Sequence, residues 1–495
     1  MTAGADVLLP DWLGRRVSSG AERTALKTQE RTWSYQELYE AATQMAGALQ
    51  RRGVDKGERV ALIAFNGEWF ALAVHALMQA EAVLVPINWR LTAAEIAWQI
   101  QDAGVRWILC DEAGMDLAQQ VGRLQTTATD VVLLTDLARE KARPLARTEI
   151  HTQDVHAIIY TSGTTGQPKG AMITYGNHWW SAMGSALQLG LSEADRWLVP
   201  MPLFHVGGLA VLMRSLIYGT TAVVHDKFDV DAVHQAIDDE GVTLLSVVPT
   251  MLRRMVDARG DVPYPPSLRC ILLGGSGAPR PLLERALALG APVAQSYGLT
   301  EANTQVCTLR PEDALRKLGS SGKPLMPTEI AIEVDGRRAK PREEGEIIVR
   351  GPTVMAGYLN RPDATRETIV DGWLHTGDIG YVDEDGYLFV LDRRKDLIVS
   401  GGENIYPAEV ESVLLRHPAV EDVAVVGVAD AYWGQSPVAC VVLSGSVEDE
   451  DLIQFCRQSL AGYKIPRRIE RVAELPRNAS GKLLRRKLRE WLEAK

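Results

Sequence analysis

Short apolar, β-branched runs alternate with helix-length amphipathic stretches over most of this chain, and that alternation constrains the fold more than any other feature. A strand buried on both faces reads as a continuous apolar run, and it needs a crossover of helical length to return parallel to its neighbour. Residues 59–65, 82–86, 107–109, 131–134, 196–199, 220–224, 244–248 and 270–273 all have that character. Between them, residues 68–80, 177–189 and the segment opening at Val230 carry apolar residues at helical spacing. Nearer the N-terminus, residues 33–35 are extended. Ser34 with Glu37 makes a capping signature ahead of a helix that lines up Leu38, Ala42, Met45 and Leu49. The expected fold class is therefore α/β, with layered and mainly parallel sheets.

At 495 residues the chain exceeds one ordinary core, so two or more domains are expected. The pattern changes near Asp392: a helix over 407–415, strands over 423–428 and 438–443, and a helix over 448–461 read as α+β. The division expected is a large domain, 1–391, and a small one, 392–495. A net charge of −10 argues against a general nucleic-acid binder without excluding a local basic pocket. The five cysteines are scattered and form no CxxC pair, so neither a disulfide framework nor a zinc cluster is indicated, in keeping with a reducing cytoplasm. No apolar run is long enough to cross a bilayer.

The strand-like run at 155–159 leads directly into Tyr160-Thr-Ser-Gly-Thr-Thr-Gly-Gln-Pro-Lys-Gly170. Its glycines let backbone approach an anion, and its hydroxyls and Lys169 supply donors to phosphate oxygens. Pro168 ahead of the lysine separates this loop from the Gly-Lys-Ser/Thr of a P-loop. On composition alone, a polar surface turn explains the loop equally well. A second glycine-rich turn, 274–277, ends the strand at 270–273, the place where open parallel sheets bind ligands.

Further stretches follow in order: 295–301 (Gln-Ser-Tyr-Gly-Leu-Thr-Glu), Gly345-Glu346, 373–378 (Trp-Leu-His-Thr-Gly-Asp), Asp392-Arg393, 401–407 (Gly-Gly-Glu-Asn-Ile-Tyr-Pro) and 478–482 (Asn-Ala-Ser-Gly-Lys). With these, the chain resembles the adenylate-forming superfamily, which includes acyl-CoA synthetases, luciferases and the adenylation domains of peptide synthetases. The resemblance covers nearly the whole chain. It implies a large N-terminal domain of layered α/β sheets with a β-barrel-like subdomain, and a small mobile α+β C-terminal domain. ATP, Mg²⁺ and coenzyme A are the implied cofactor and co-substrates.

By the same resemblance, ATP or AMP is contacted by Thr161, Ser162, Gly163, Thr164, Thr165, Gly166, Lys169, Gly274, Gly275, Ser276, Ser296, Tyr297, Gly298 and Thr300. Asp378 and Arg393 are implied to hold the ribose, and Glu301 the metal, since a hard cation favours carboxylate and phosphate oxygens. Lys482 is implied as the catalytic cation between the attacking carboxylate and the α-phosphate, where like charges crowd. Thr300 and His205 are implied beside it. Lys395 takes the hinge position, and Gly401, Gly402 and Glu403 line the coenzyme A tunnel after the small domain turns.

These motifs read ATP, not the acid. Narrower blocks at 175–178, 195–198, 202–209, 246–252, 269–275 and 317–320 are similar to the o-succinylbenzoate-CoA ligases of menaquinone biosynthesis. Such an acid has an aromatic ring, a keto group and two carboxylates, of which one is activated. The spare carboxylate requires a cation or several donors. Arg214 and Lys227 are the candidate cations, with Ser276, Thr304 and Gln305 as donors and His205, Gly207, Ser246, Gly275 and Gly298 around the acyl group. A broader aryl or medium-chain fatty acyl-CoA synthetase and a stand-alone module loading a carrier protein remain as alternatives. The expected partners are small molecules: a carboxylic acid, ATP and coenzyme A, with no nucleic acid and no membrane span, and with a homodimer left open.

Overall fold

The computed structural model describes residues 7–161, 168–275, 278, 280–392, 397–476 and 483–495. Two large sheets dominate the first part of the chain. In the first, Val155–Thr161, Val83–Pro86, Arg59–Ile63, Trp107–Cys110 and Asp130–Leu133 are neighbours in that order, all parallel. The strand Lys169–Thr174 returns antiparallel on Val155–Thr161, bringing Lys169 opposite Thr161 at the base of the hydroxyl-rich loop.

The second sheet has a parallel core of Thr221–Val224, Arg196–Val199, Leu244–Val247, Cys270–Leu273 and Val293–Leu299. It continues through antiparallel strands, Thr304–Leu309, Ser320–Pro324, Leu388–Asp392, Trp373–Val382, Gly345–Arg350 and Glu329–Val334. The α/β class expected from the alternation is the one observed.

Four helices, Tyr35–Arg51, Glu68–Gln79, Tyr175–Leu189 and Val206–Tyr218, share one apolar core with strands of both sheets. Leu62, Leu84 and Ile159 reach it from the first sheet and Trp197, Val224 and Leu272 from the second. A helix lying between two sheets has no solvated face, so Phe70 to Gln79 are all buried. The helix Tyr35–Arg51 begins in the capping box read from the sequence. Ser34 Oγ accepts from Glu37 N at 3.1 Å, and Ser34 N donates to the Glu37 carboxylate at 2.8 Å.

The last part of the chain forms a smaller sheet, Glu403–Ile405, Ile398–Ser400, Gly434–Leu443 and Val420–Asp430, with Arg468–Arg471 parallel on Gly434–Leu443. Pro407–Leu414 and Asp449–Arg457 cover one face of it. No helix among the described residues is long and apolar enough to cross a membrane. All five cysteines are buried and free.

Candidate active site

The parallel strands of both sheets point their carboxyl ends at one cleft, the usual ligand position in open α/β sheets. Thr161 closes its strand there, Val248 and Gly274-Gly275 follow theirs, and Met201 to His205 follow Arg196–Val199. The cavity between them is about 280 Å³. A glycine is required at one point of its wall. A Cβ on Gly298 would lie 1.8 Å from the carbonyl oxygen of Thr304, so only hydrogen lets the two antiparallel strands close here.

One side of the cleft is polar. Ser296, Gly298, Leu299, Thr300 and Asp378 line it, whereas Tyr297 points into the core and donates from its hydroxyl to Asp378 Oδ2 at 2.7 Å. That bond orients the carboxylate from behind. Glu301 is buried, and its Oε1 accepts from the Tyr358 hydroxyl at 2.8 Å and from Thr161 Oγ1 at 3.5 Å. A single carboxylate and a hydroxyl are hard oxygen donors, a set that suits a Mg²⁺ whose remaining ligands are phosphate oxygens and water. Among the described residues no group of three or more acidic, His or Cys side chains forms a self-sufficient metal cage. Lys169 stays at the loop base, with Nζ 5.2 Å from the Tyr358 ring centre.

The other side is mainly apolar. Met201, Val206, Gly207, Val248, Met251 and Leu272 line it, and Arg214, the one charged side chain among these, projects from the helix Val206–Tyr218. Only 3% of Arg214 is exposed. It donates to Thr304 Oγ1 at 2.7 Å and to Ser181 Oγ at 3.1 Å, its guanidinium sits 5.6 Å from the Trp197 ring centre, and its Nε finds no partner among the described residues. No carboxylate among the described residues pairs with it. Burial lowers the Arg214 pKa from the usual guanidinium value, and burial together with the Arg214 charge pushes His178 down to about 3. Thr304 holds its hydroxyl toward Arg214 from a backbone at φ 86°, next to Asn303 at φ 49°. Two consecutive non-glycine residues in the left-handed region are unusual and cluster at binding sites. Ser246 and Gln305 also line this side; Ser246 Oγ accepts from Trp197 Nε1 at 2.9 Å, and Gln305 Nε2 donates to Thr308 Oγ1 at 2.9 Å.

The mouth of the cleft is closed by the small sheet. Gly401 and Gly402, at φ 58° and 89°, face the cavity, Gly402 beside Val248. Glu403, next in sequence, is buried against the large domain. It pairs with the Arg90 guanidinium and lies 3.1 Å from His205 Nε2. Burial disfavours its charge, but His205 and Arg90 together hold the carboxyl down at about 2.

Residues 13–359 match the family model of the AMP-binding enzymes, and residues 409–482 match that of the AMP-binding enzyme C-terminal domain. The chain belongs to the AMP-binding enzyme family. Among its relatives, the 2-succinylbenzoate–CoA ligase of Bacillus cereus is 47% identical over 485 residues, covering 98% of this chain and 99% of that one. A double mutant of the o-succinylbenzoate CoA synthetase of Bacillus subtilis, bound to a product analogue, matches with a TM-score of 0.93 at 44% identity, over 97% of this chain and 98% of that chain. The same B. subtilis enzyme in complex with its acyl-adenylate intermediate matches with a TM-score of 0.77, at the same identity and coverage.

Of the residues singled out in the sequence as this family's site, the structure gathers Thr161, His205, Gly207, Arg214, Ser246, Gly274, Gly275, Ser296, Gly298, Thr300, Glu301, Thr304, Asp378, Gly401, Gly402 and Glu403 around one cavity. Two are corrected. Tyr297 lies behind the wall and acts on Asp378. Lys227 is exposed and outside the cavity, because the strand Thr221–Val224 carries it past the cleft to the surface ahead of the helix Val230–Asp238. Ser162, Gly163, Thr164, Thr165, Gly166, Ser276, Arg393, Lys395 and Lys482 lie outside the described residues.

Sequence reasoning passed over Arg90, Tyr358 and Val248. Arg90 had a usable signal: it follows the strand Val83–Pro86 in the loop at its carboxyl end, where parallel sheets collect ligand-binding groups.

Proposed function

We propose that this protein is an AMP-forming acid–thiol ligase whose acid is o-succinylbenzoate, converted to o-succinylbenzoyl-CoA. In the first step a carboxylate oxygen attacks the α-phosphorus of ATP and pyrophosphate leaves. In the second, the sulfur of coenzyme A, having lost its proton, attacks the acyl carbonyl carbon of the adenylate and AMP leaves. Mg²⁺, when bound, neutralises charge on the phosphates, and Glu301 is the side chain to hold it. Asp378, set by Tyr297, is positioned to accept from ribose hydroxyls. Lys482 is assigned, on its motif alone, to the charge-crowded transition state of the first step.

The observation that carries the choice of acid is Arg214. A buried guanidinium with no carboxylate partner among the described residues, in a wall it shares with apolar and neutral polar side chains, opposes binding of an alkyl chain and favours an acid that brings a second negative charge. The Thr304 and Ser181 hydroxyls fix the fork so that it presents to the cavity. Names carried by the Bacillus relatives support the same acid.

The arrangement at the mouth of the cleft supports reading this form as the thioester-forming one. Gly401 and Gly402 border the cavity, and the match to the product-analogue complex exceeds that to the adenylate complex. We also propose the division into a large domain, 1–391, and a small domain, 392–495, and a cytoplasmic location, which five buried free thiols suit.

The test is pyrophosphate release and thioester formation across o-succinylbenzoate, substituted benzoates and fatty acids. Highest kcat/KM is expected for o-succinylbenzoate. A preference for a fatty acid would assign the protein to the broader acyl-CoA synthetases, and adenylation without thioester formation would assign it to carrier loading.

A further inference from the structure

One short stretch of the large domain makes four polar contacts with the small domain. After the strand Val83–Pro86, residues 87–92 lead into the helix Ala93–Ala103. Asn88 Nδ2 lies 3.4 Å from Glu403 and 3.5 Å from the Tyr463 hydroxyl, Arg90 pairs with Glu403, and Glu95 Oε1 accepts from Lys464 Nζ at 2.7 Å. The stretch is braced on its own side: Trp89 stacks on Phe65 at 4.1 Å, and Glu95 is the N3 member of a capping box with Thr92.

Lys464 is the unusual member. Its side chain is 4% exposed, and besides Glu95 it reaches Glu409 Oε1 of its own domain at 2.7 Å. Burial works against its charge, but Glu409 and Glu95 overcome that and hold its pKa above the usual lysine value. Glu409 and Lys464 form a neutral pair inside the small domain whichever way that domain faces. Glu95 adds a second carboxylate only when the small domain sits as it does here. A buried ion pair contributes little net stability, but its strict geometry selects one arrangement over others.

We infer that Glu95 and Lys464 form a latch that selects the orientation in which Gly401 and Gly402 border the cleft. Both are thus positioning residues for thioester formation, with no part in adenylation. The inference rests on reading this orientation as the thioester-forming one. Neither side chain lines the cavity. Rotation of the small domain away from the cleft parts Lys464 from Glu95 but leaves it with Glu409, so the latch opens without stranding a buried charge.

The experiment measures the two half-reactions separately in the full-length protein: acid-dependent pyrophosphate release without coenzyme A, and thioester formation from supplied acyl-adenylate. Glu95→Gln is expected to slow thioester formation about tenfold or more, as loss of one partner in a largely buried charge pair does, while pyrophosphate release stays within about twofold of the unmodified protein. Ser34→Ala, which removes a capping hydroxyl of a helix that makes none of these contacts with the small domain, is the control for lost stability, so the ratio of the two rates is expected to stay unchanged. Equal loss of both half-reactions in Glu95→Gln, an unaltered thioester rate, or a ratio shift of the same size in Ser34→Ala overturns the latch. If the unmodified protein makes adenylate but no thioester, the functional reading beneath the inference fails, separately from the latch.

Discussion

Arg214 shows how one side chain divides stability from function. Its guanidinium is desolvated and, among the described residues, is met by the Thr304 and Ser181 hydroxyls and the Trp197 ring, with no carboxylate. Arg214→Met keeps the volume and removes the charge, so the folded protein is expected to be no less stable, as when other buried charges are replaced by apolar groups. Its KM for o-succinylbenzoate is expected to rise roughly 10- to 100-fold, the worth of about 1.5–3 kcal/mol for hydrogen bonds to a charged group, with little change for benzoate. Steady-state kinetics on both acids check this, and parallel losses would remove the pairing with a second carboxylate. Lys227→Ala, exposed and away from the cleft, is expected to change neither. At Gly298 the constraint is steric: with only 1.8 Å available to a Cβ, Gly298→Ala must push apart the strands that carry Ser296 and Thr304. Loss of most pyrophosphate release is expected, together with a lower melting temperature; near-normal activity would show that the wall yields.

At the scale of elements, legibility followed locality. The parallel strands were readable because strands buried on both faces are apolar throughout, and the Tyr35–Arg51 helix because its cap lies within four residues of sequence. Ser34→Ala is expected to cost about 1 kcal/mol of stability, the usual worth of an N-cap hydroxyl, with the ratio of the half-reactions intact; denaturant titration beside the two assays checks both. Glycine turns at strand ends were legible for the same local reason. Lys227 was misassigned because a cation near a candidate pocket in sequence carries no information on which way its strand leads. Glu95 and Lys464, 369 residues apart, drew no reading from the sequence. Contacts across such distances leave no trace in spacing or periodicity.

For the whole molecule, the consequence is that two half-reactions share one cleft and differ in what the small domain brings to it. Gly401 and Gly402 border the cavity here, whereas Lys482 is tied to adenylation by its motif alone. Opposite failures are therefore expected at the two places. Lys482→Ala should lose most pyrophosphate release while using supplied acyl-adenylate comparatively well. Gly402→Leu should do the reverse: its backbone stands at φ 89°, which side chains adopt at a cost, and even a Cβ there lies 3.5 Å from Val248. The larger leucine side chain then fills the approach of the thiol to the cleft. Its thioester rate should fall far more than its adenylation rate. Half-reaction assays on the pair decide the matter, because two lesions in a single rigid site would depress both steps alike, whereas a domain that turns between steps separates them.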